Sequence, residues 1–100
     1  MSGAEILAIF GELDDLRKTI GGKKTKLGKD GKVFTEDRED IEKLGEEIAK
    51  LRDELKELSK RIDGISAIDT TVVSTAQLLT EELKNSNDDL QQTLFDLEKK

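Results

Sequence analysis

Any chemistry in this chain has to come from carboxylates and amines. Of its 100 residues, 23 are Asp or Glu and 17 are Lys or Arg, and there is neither His nor Cys. Without His, the usual general base and the commonest metal ligand are missing. Without Cys there is no thiolate nucleophile, no disulfide framework and no Cys-ligated zinc. Clusters of Ser and Thr have no imidazole to activate them, and the Glu-x-x-His pairs of di-iron helical bundles cannot be built. GGKKT at 21–25 is close to a phosphate loop in composition, but a second Lys separates Gly-Lys from Thr and no strand precedes it, so the G-x-x-x-x-G-K-[ST] spacing fails. Asp30-Gly31 falls far short of a calcium loop. The expectation is a protein with no catalytic residue, no metal, no cofactor and no small-molecule substrate.

The cations are placed unevenly. Residues 17–32 hold Arg17, Lys18, Lys23, Lys24, Lys26, Lys29 and Lys32 against Asp30 alone, a net +6. The whole chain carries −6, so the remainder carries −12. Lys23, Lys24, Lys26, Lys29 and Lys32 are therefore candidate contacts for an anionic partner, either a phosphate backbone or an acidic protein surface. The plainer alternative, equally open at this point, is that they keep an exposed hairpin edge soluble. There is no aromatic stacking set and no helix-turn-helix pattern, so contact with DNA would be nonspecific, through phosphates, and salt-sensitive.

Secondary structure has to hold these groups in place. Ser2-Gly3-Ala4-Glu5 has the S-x-x-E form of a capping box. Ile6, Ile9, Leu13, Leu16 and Ile20 follow at steps of three and four, one face of a helix, and Leu7 and Phe10 widen that face toward a three-helix contact. Gly21-Gly22 reads as the helix stop, with Arg17 and Lys18 favoured in its last turn. Asp30-Gly31 signals a two-residue hairpin turn, which pairs Lys29 with Lys32, Gly28 with Val33 and Leu27 with Phe34. A lone hairpin is marginal in water, so it must dock on the helices or on a partner; the alternative is a disordered lysine-rich loop.

Thr35 then caps a second helix, with Glu36 and Asp37 in its first turn. Ile41, Leu44, Ile48, Leu51, Leu55, Leu58 and Ile62 make an unbroken heptad stripe. Glu39–Lys43, Glu46–Lys50 and Glu57–Arg61 are spaced as i,i+4 ion pairs. At 1.5 Å per residue this helix is about 40 Å long. Asp63-Gly64 ends it and Ser66-Ala67-Ile68-Asp69 offers a new capping box, although Ile65, Val72, Ala76, Leu79 and Leu83 keep the heptad count. A break makes an antiparallel helical hairpin, whereas continuity makes a rod that must associate with copies of itself. The β-branched residues at 70–73 and the helix penalty of Gly64, about 1 kcal/mol, favour the break. Asn85-Ser86-Asn87-Asp88 is a polar run that breaks the third segment or caps a fourth. Leu90, Leu94 and Leu97 then resume an apolar face, and Phe95 lies off it, free for a partner.

The expected fold class is mainly α: helix, β-hairpin, long helix, then one or two further helices, with coiled-coil-like packing. Residues 1–63 form the helix–hairpin–helix unit and 64–100 a helical extension, broken near 85–88 in one reading. With three aromatics in the chain, the core must be aliphatic. At this size, burial between chains is an expected source of extra stability. Ile6, Ile9, Leu13, Leu16, Ile41, Leu44, Ile48, Leu51, Leu55, Leu58 and Ile62 are accordingly candidates for helix packing or oligomerisation. No apolar run approaches the roughly 20 residues of a membrane span. MSGAEILAIF lacks a basic n-region and carries Glu5, so it does not read as a signal peptide. A cytoplasmic location is expected, in the host cytoplasm or virion if the protein is viral.

The order short helix, Gly-Gly, lysine-rich hairpin with a KDG turn, then Thr35-Glu36-Asp37-Arg38-Glu39-Asp40-Ile41 opening a long helix, resembles the small phage head–tail joining proteins of the W type. The resemblance covers about residues 4–60 and leaves 65–100 without a counterpart. It implies a helix–hairpin–helix core, a place in a ring between portal and tail, and basic loops near the DNA exit channel. The functional expectation is a non-enzymatic structural or assembly adaptor, such as a virion neck component, with other protein subunits as partners. The alternatives are a small regulatory module that inhibits a nucleic-acid-handling protein, and a homo-oligomeric coiled-coil spacer.

Overall fold

Apolar side chains at alternating steps of three and four give each helical segment one buried stripe, and the stripes meet in a single core. A computed structural model describes residues 3–27, 38–65 and 70–99, which contain α1 (Gly3–Leu27), α2 (Arg38–Asp63) and α3 (Thr70–Glu98). They form an elongated bundle of 50 × 19 × 18 Å. Ile9, Leu13, Ile20 and Leu27 enter the core from α1; Leu44 to Ile62 enter from α2, and Ala76, Leu83, Leu90 and Leu94 from α3. A large aliphatic side chain contributes roughly 1.5–3 kcal/mol when fully buried. Phe10, Leu16, Ile41, Val73, Leu79 and Leu97 pack partly buried around this core.

Side-chain bonds between helices fix their directions. Asn87 Nδ2 donates to the Ile48 carbonyl at 3.1 Å and Gln77 Nε2 to Asp63 Oδ1 at 3.3 Å, so α3 runs antiparallel to α2. Arg61 pairs with Glu12 and Lys23 with Glu47, so α1 is also antiparallel to α2 and runs alongside α3. The α2–α3 contact is the most extensive, α1 rests mainly on α3, and α1 meets α2 least. Gly45 permits the close α2–α3 approach: a Cβ there would stand 3.3 Å from Leu94 Cδ2.

The first helix does not stop at Gly21-Gly22. It continues to Leu27, and neither glycine takes a positive φ. Two glycines inside a helix cost about 2 kcal/mol relative to alanine. Burying Leu27, which is 0% exposed, returns roughly as much, and Lys23 adds an ion pair to Glu47. Leu27 is therefore the last residue of a helix rather than the strand partner of Phe34. Lys23, Lys24 and Lys26 are helical residues as well. The Asp30-Gly31 turn, Lys29, Lys32, Phe34 and the Thr35 cap lie outside the described residues, among which there is no strand.

The break after Asp63 is present, and α2 and α3 are separate helices. Gly64 N–H donates to the Lys60 carbonyl at 3.1 Å and Ile65 N–H to the Ile62 carbonyl at 3.0 Å, which tightens the last turn. The third segment, by contrast, runs unbroken through Asn85-Ser86-Asn87-Asp88. Asn87 occupies a core position, 1% exposed, one helical repeat from Leu83 and Leu90. Two further expectations change. Arg61 reaches across to Glu12 instead of Glu57, which takes Lys60 at 3.3 Å, and among the described residues no ion pair joins Glu46 to Lys50. Leu7 is 73% exposed and does not widen the core contact, whereas Phe10 does.

Candidate functional site

The weak α1–α2 seam is where the surface has shape. Leu16 on α1 and Leu58 on α2 give a groove of about 470 Å³ a mostly apolar lining. Each belongs to its helix's stripe, and each stripe is flanked on this side by carboxylates. Glu12 and Asp15 stand on the α1 wall, and Asp53, Glu54 and Glu57 on the α2 wall. Lys50 and Arg61 mark the two ends along α2. The groove thus spans twelve residues of α2, Lys50 to Arg61, about 16 Å by helical rise.

Two ion pairs bridge the seam. At one end, Arg61 Nη1 donates to Glu12 Oε2 at 2.7 Å. Beyond the other end, the Lys23 ammonium donates to Glu47, with the Lys23 side chain only 16% exposed. That hydrogen bond holds the Glu47 carboxyl below its ordinary pKa, while partial burial pulls the other way. On the outer face of α1, Asp14 accepts from Arg17 at 2.9 Å and pairs with Lys18 at 3.2 Å, and its carboxyl is lowered by the Arg17 hydrogen bond first and by Lys18 next. Glu57 is occupied by Lys60. Asp15, Asp53 and Glu54 have no ion-pair partner among the described residues, and the one cation beside them without a partner there is Lys50.

The lysines singled out in the sequence separate into different roles. Lys23 is spent on the α1–α2 bridge. Lys24 and Lys26 lie exposed in the last turn of α1, where the helix dipole favours cations. The aliphatic candidates converge in one place. Ile9, Leu13, Leu44, Ile48, Leu51, Leu55, Leu58 and Ile62 are buried in the intramolecular core, with Leu16 and Ile41 half-buried against it, while Ile6 is half-buried outside that cluster. Phe95 is 50% exposed, off the core stripe, with the Lys99 ammonium 4.4 Å from its ring centroid.

Reading the sequence missed Thr80 and Asn87 as core residues. Thr80 is satisfied by its own helix, its hydroxyl donating to the Ala76 carbonyl at 2.7 Å. Asn87 Oδ1 is buried without a partner. It also missed the acidic groove, whose signal was carboxylates immediately flanking the apolar stripes at 12, 15, 53, 54 and 57. Among the described residues no group of carboxylates is placed to hold a metal ion, and no helix is long and apolar enough to cross a membrane. The chain matches no family model, no curated protein and no solved structure.

Proposed function

We propose that this protein is a non-enzymatic assembly adaptor, a helical module that acts by presenting charged surface to other protein subunits. The observation that carries this reading is where the stripes go. The heptad positions that would otherwise drive self-association cover one another within a single chain. Assembly then uses what lies outside them: the charged flanks of α1 and α2, and the exposed Leu7, Leu78 and Phe95. The sequence holds neither His nor Cys, and the described carboxylates other than half-buried Glu47 lie exposed on the surface. The narrower reading, a phage neck component, rests on the sequence resemblance, and the passage of α1 through Gly21-Gly22 removes one of the features behind it.

Sedimentation equilibrium from micromolar to near-millimolar concentration tests the adaptor. A single-chain mass throughout is expected. A defined oligomer at micromolar concentration would replace this reading with the homo-oligomeric spacer.

A further inference from the structure

We infer that the α1–α2 groove is a docking site for a basic amphipathic helix of a partner protein. This rests on the adaptor reading and names the chemistry of its partner. The groove offers the two surfaces that such a helix needs. Half-buried Leu16, standing beside the buried Leu58, gives the seam its apolar lining where α1 meets α2 less than either meets α3. Asp15, Asp53 and Glu54 stand beside it without an ion-pair partner among the described residues. Unpaired carboxylates next to apolar surface repel one another and attract a ligand carrying Lys or Arg on either side of a hydrophobic stripe.

The dimensions agree. A groove of about 16 Å matches three turns of helix, and its volume of about 470 Å³ accommodates the inward side chains of such a segment rather than its backbone. The Glu12–Arg61 and Lys23–Glu47 pairs span the two walls, whose spacing is set by the packing of both helices on α3. The site is therefore organised before a partner arrives, which lowers the ordering cost of binding. A fourth helix laid here would complete a four-helix bundle.

The test uses the full chain and three synthetic peptides of about eleven residues, followed by fluorescence anisotropy at low and moderate salt. The first peptide carries Leu at i, i+3, i+4 and i+7 with Lys elsewhere. The second replaces Lys with Glu, and the third keeps the first composition but scrambles the leucines. Binding of the first peptide alone is expected, weakened tenfold or more in an Asp53→Lys/Glu54→Lys variant. It should change less than twofold in a Glu82→Lys/Asp88→Lys control on the exposed face of α3. No binding of the first peptide would overturn the inference while leaving the adaptor reading to its own mass measurement. Equal binding of the scrambled peptide, or equal loss in the α3 control, would show general attraction to an acidic protein and would also overturn it. A wild-type dimer that the Asp53→Lys/Glu54→Lys variant splits would assign the groove to a second copy of this chain, against a foreign helix.

Discussion

Replacing Gly21 and Gly22 with alanine should stabilise this protein, although a glycine pair at that point in the sequence reads as a helix stop. Both residues lie inside α1, both are exposed, and a Cβ built on either meets nothing within 4 Å. No steric penalty offsets the gain in helix propensity, so each substitution is worth about 1 kcal/mol, partly through restriction of the unfolded chain. The pair together should contribute about 2 kcal/mol. For a domain of this size that raises the melting midpoint by about 8–16 °C.

The opposite architecture predicts the opposite sign. If the chain left the helix at Gly21-Gly22 in the left-handed conformation that ends many helices, alanine would be strained there and the midpoint would fall. Thermal and urea unfolding followed by circular dichroism separate the two. Leu27→Ala provides the complementary measurement, because truncating a fully buried leucine costs about 2–5 kcal/mol and Leu27 is 0% exposed. A fall in midpoint for the Gly21→Ala/Gly22→Ala variant, or a negligible effect of Leu27→Ala, would refute the continuous α1.

Other perturbations test other parts of the bundle. Asn87→Leu removes a buried Oδ1 that has no partner, worth about 1–3 kcal/mol, together with the Nδ2 bond to the Ile48 carbonyl, worth about 1 kcal/mol, so a net gain of about 0–2 kcal/mol is expected; a fall in urea stability would count against the partnerless Oδ1. The same variant should loosen specificity, because a single core Asn selects register and association state, and sedimentation would show new species. Gly45→Leu should destabilise by about 1–3 kcal/mol through overpacking, because even a Cβ at this position would lie 3.3 Å from Leu94 Cδ2; an unchanged urea midpoint would show that the α2–α3 approach is looser than this. Acid should weaken the α1–α2 bridge. The folded Glu47 pKa lies below its ordinary value of 4.5, so the contribution is whole above that value and is lost as pH falls through the folded pKa. Melting midpoints should therefore drop less between pH 6 and pH 3 in Glu47→Gln than in the wild type, and parallel curves would remove the bridge from the account.

The stripes of α1 and α2 were legible because aliphatic residues mark every step. The two misread places share a physical cause. Counting on from Ile20 by three and four lands on Lys23 and Leu27, and counting back from Leu90 lands on Asn87, Leu83, Thr80, Ala76 and Val73. In both places the periodicity continues through residues whose local preference is to end a helix. Burial across the bundle outweighs that preference, as tertiary context does with propensity generally. The pairing of helices had no comparable local mark. Nothing near Arg61 in sequence distinguishes Glu57, four residues back, from Glu12, 49 residues away, because a long guanidinium stem reaches either and the bundle decides which is present. The groove was hidden for the same reason: its acidic walls belong to two helices whose adjacency follows from both packing on α3.

Charge asymmetry also changes meaning once the chain is folded. Along the sequence, the excess of cations in 17–32 looks like a basic tip in search of an anion. In the bundle, Arg17 and Lys18 are held by Asp14, and Lys23 by Glu47. These are mostly exposed pairs of modest individual worth, yet they remove part of the field that a phosphate backbone would meet. At the seam, Asp15, Asp53 and Glu54 have no ion-pair partner among the described residues, against Lys50 as the one such cation in the lining. Repulsion among like charges falls with salt, and so does attraction to a cationic ligand. Raising ionic strength should therefore stabilise the isolated protein while weakening its complex with a basic helix. A free basic tip gripping an anion predicts no loss of affinity when Asp53 and Glu54 are replaced by Lys, so that one variant distinguishes an acidic seam from a basic tip as the principal contact.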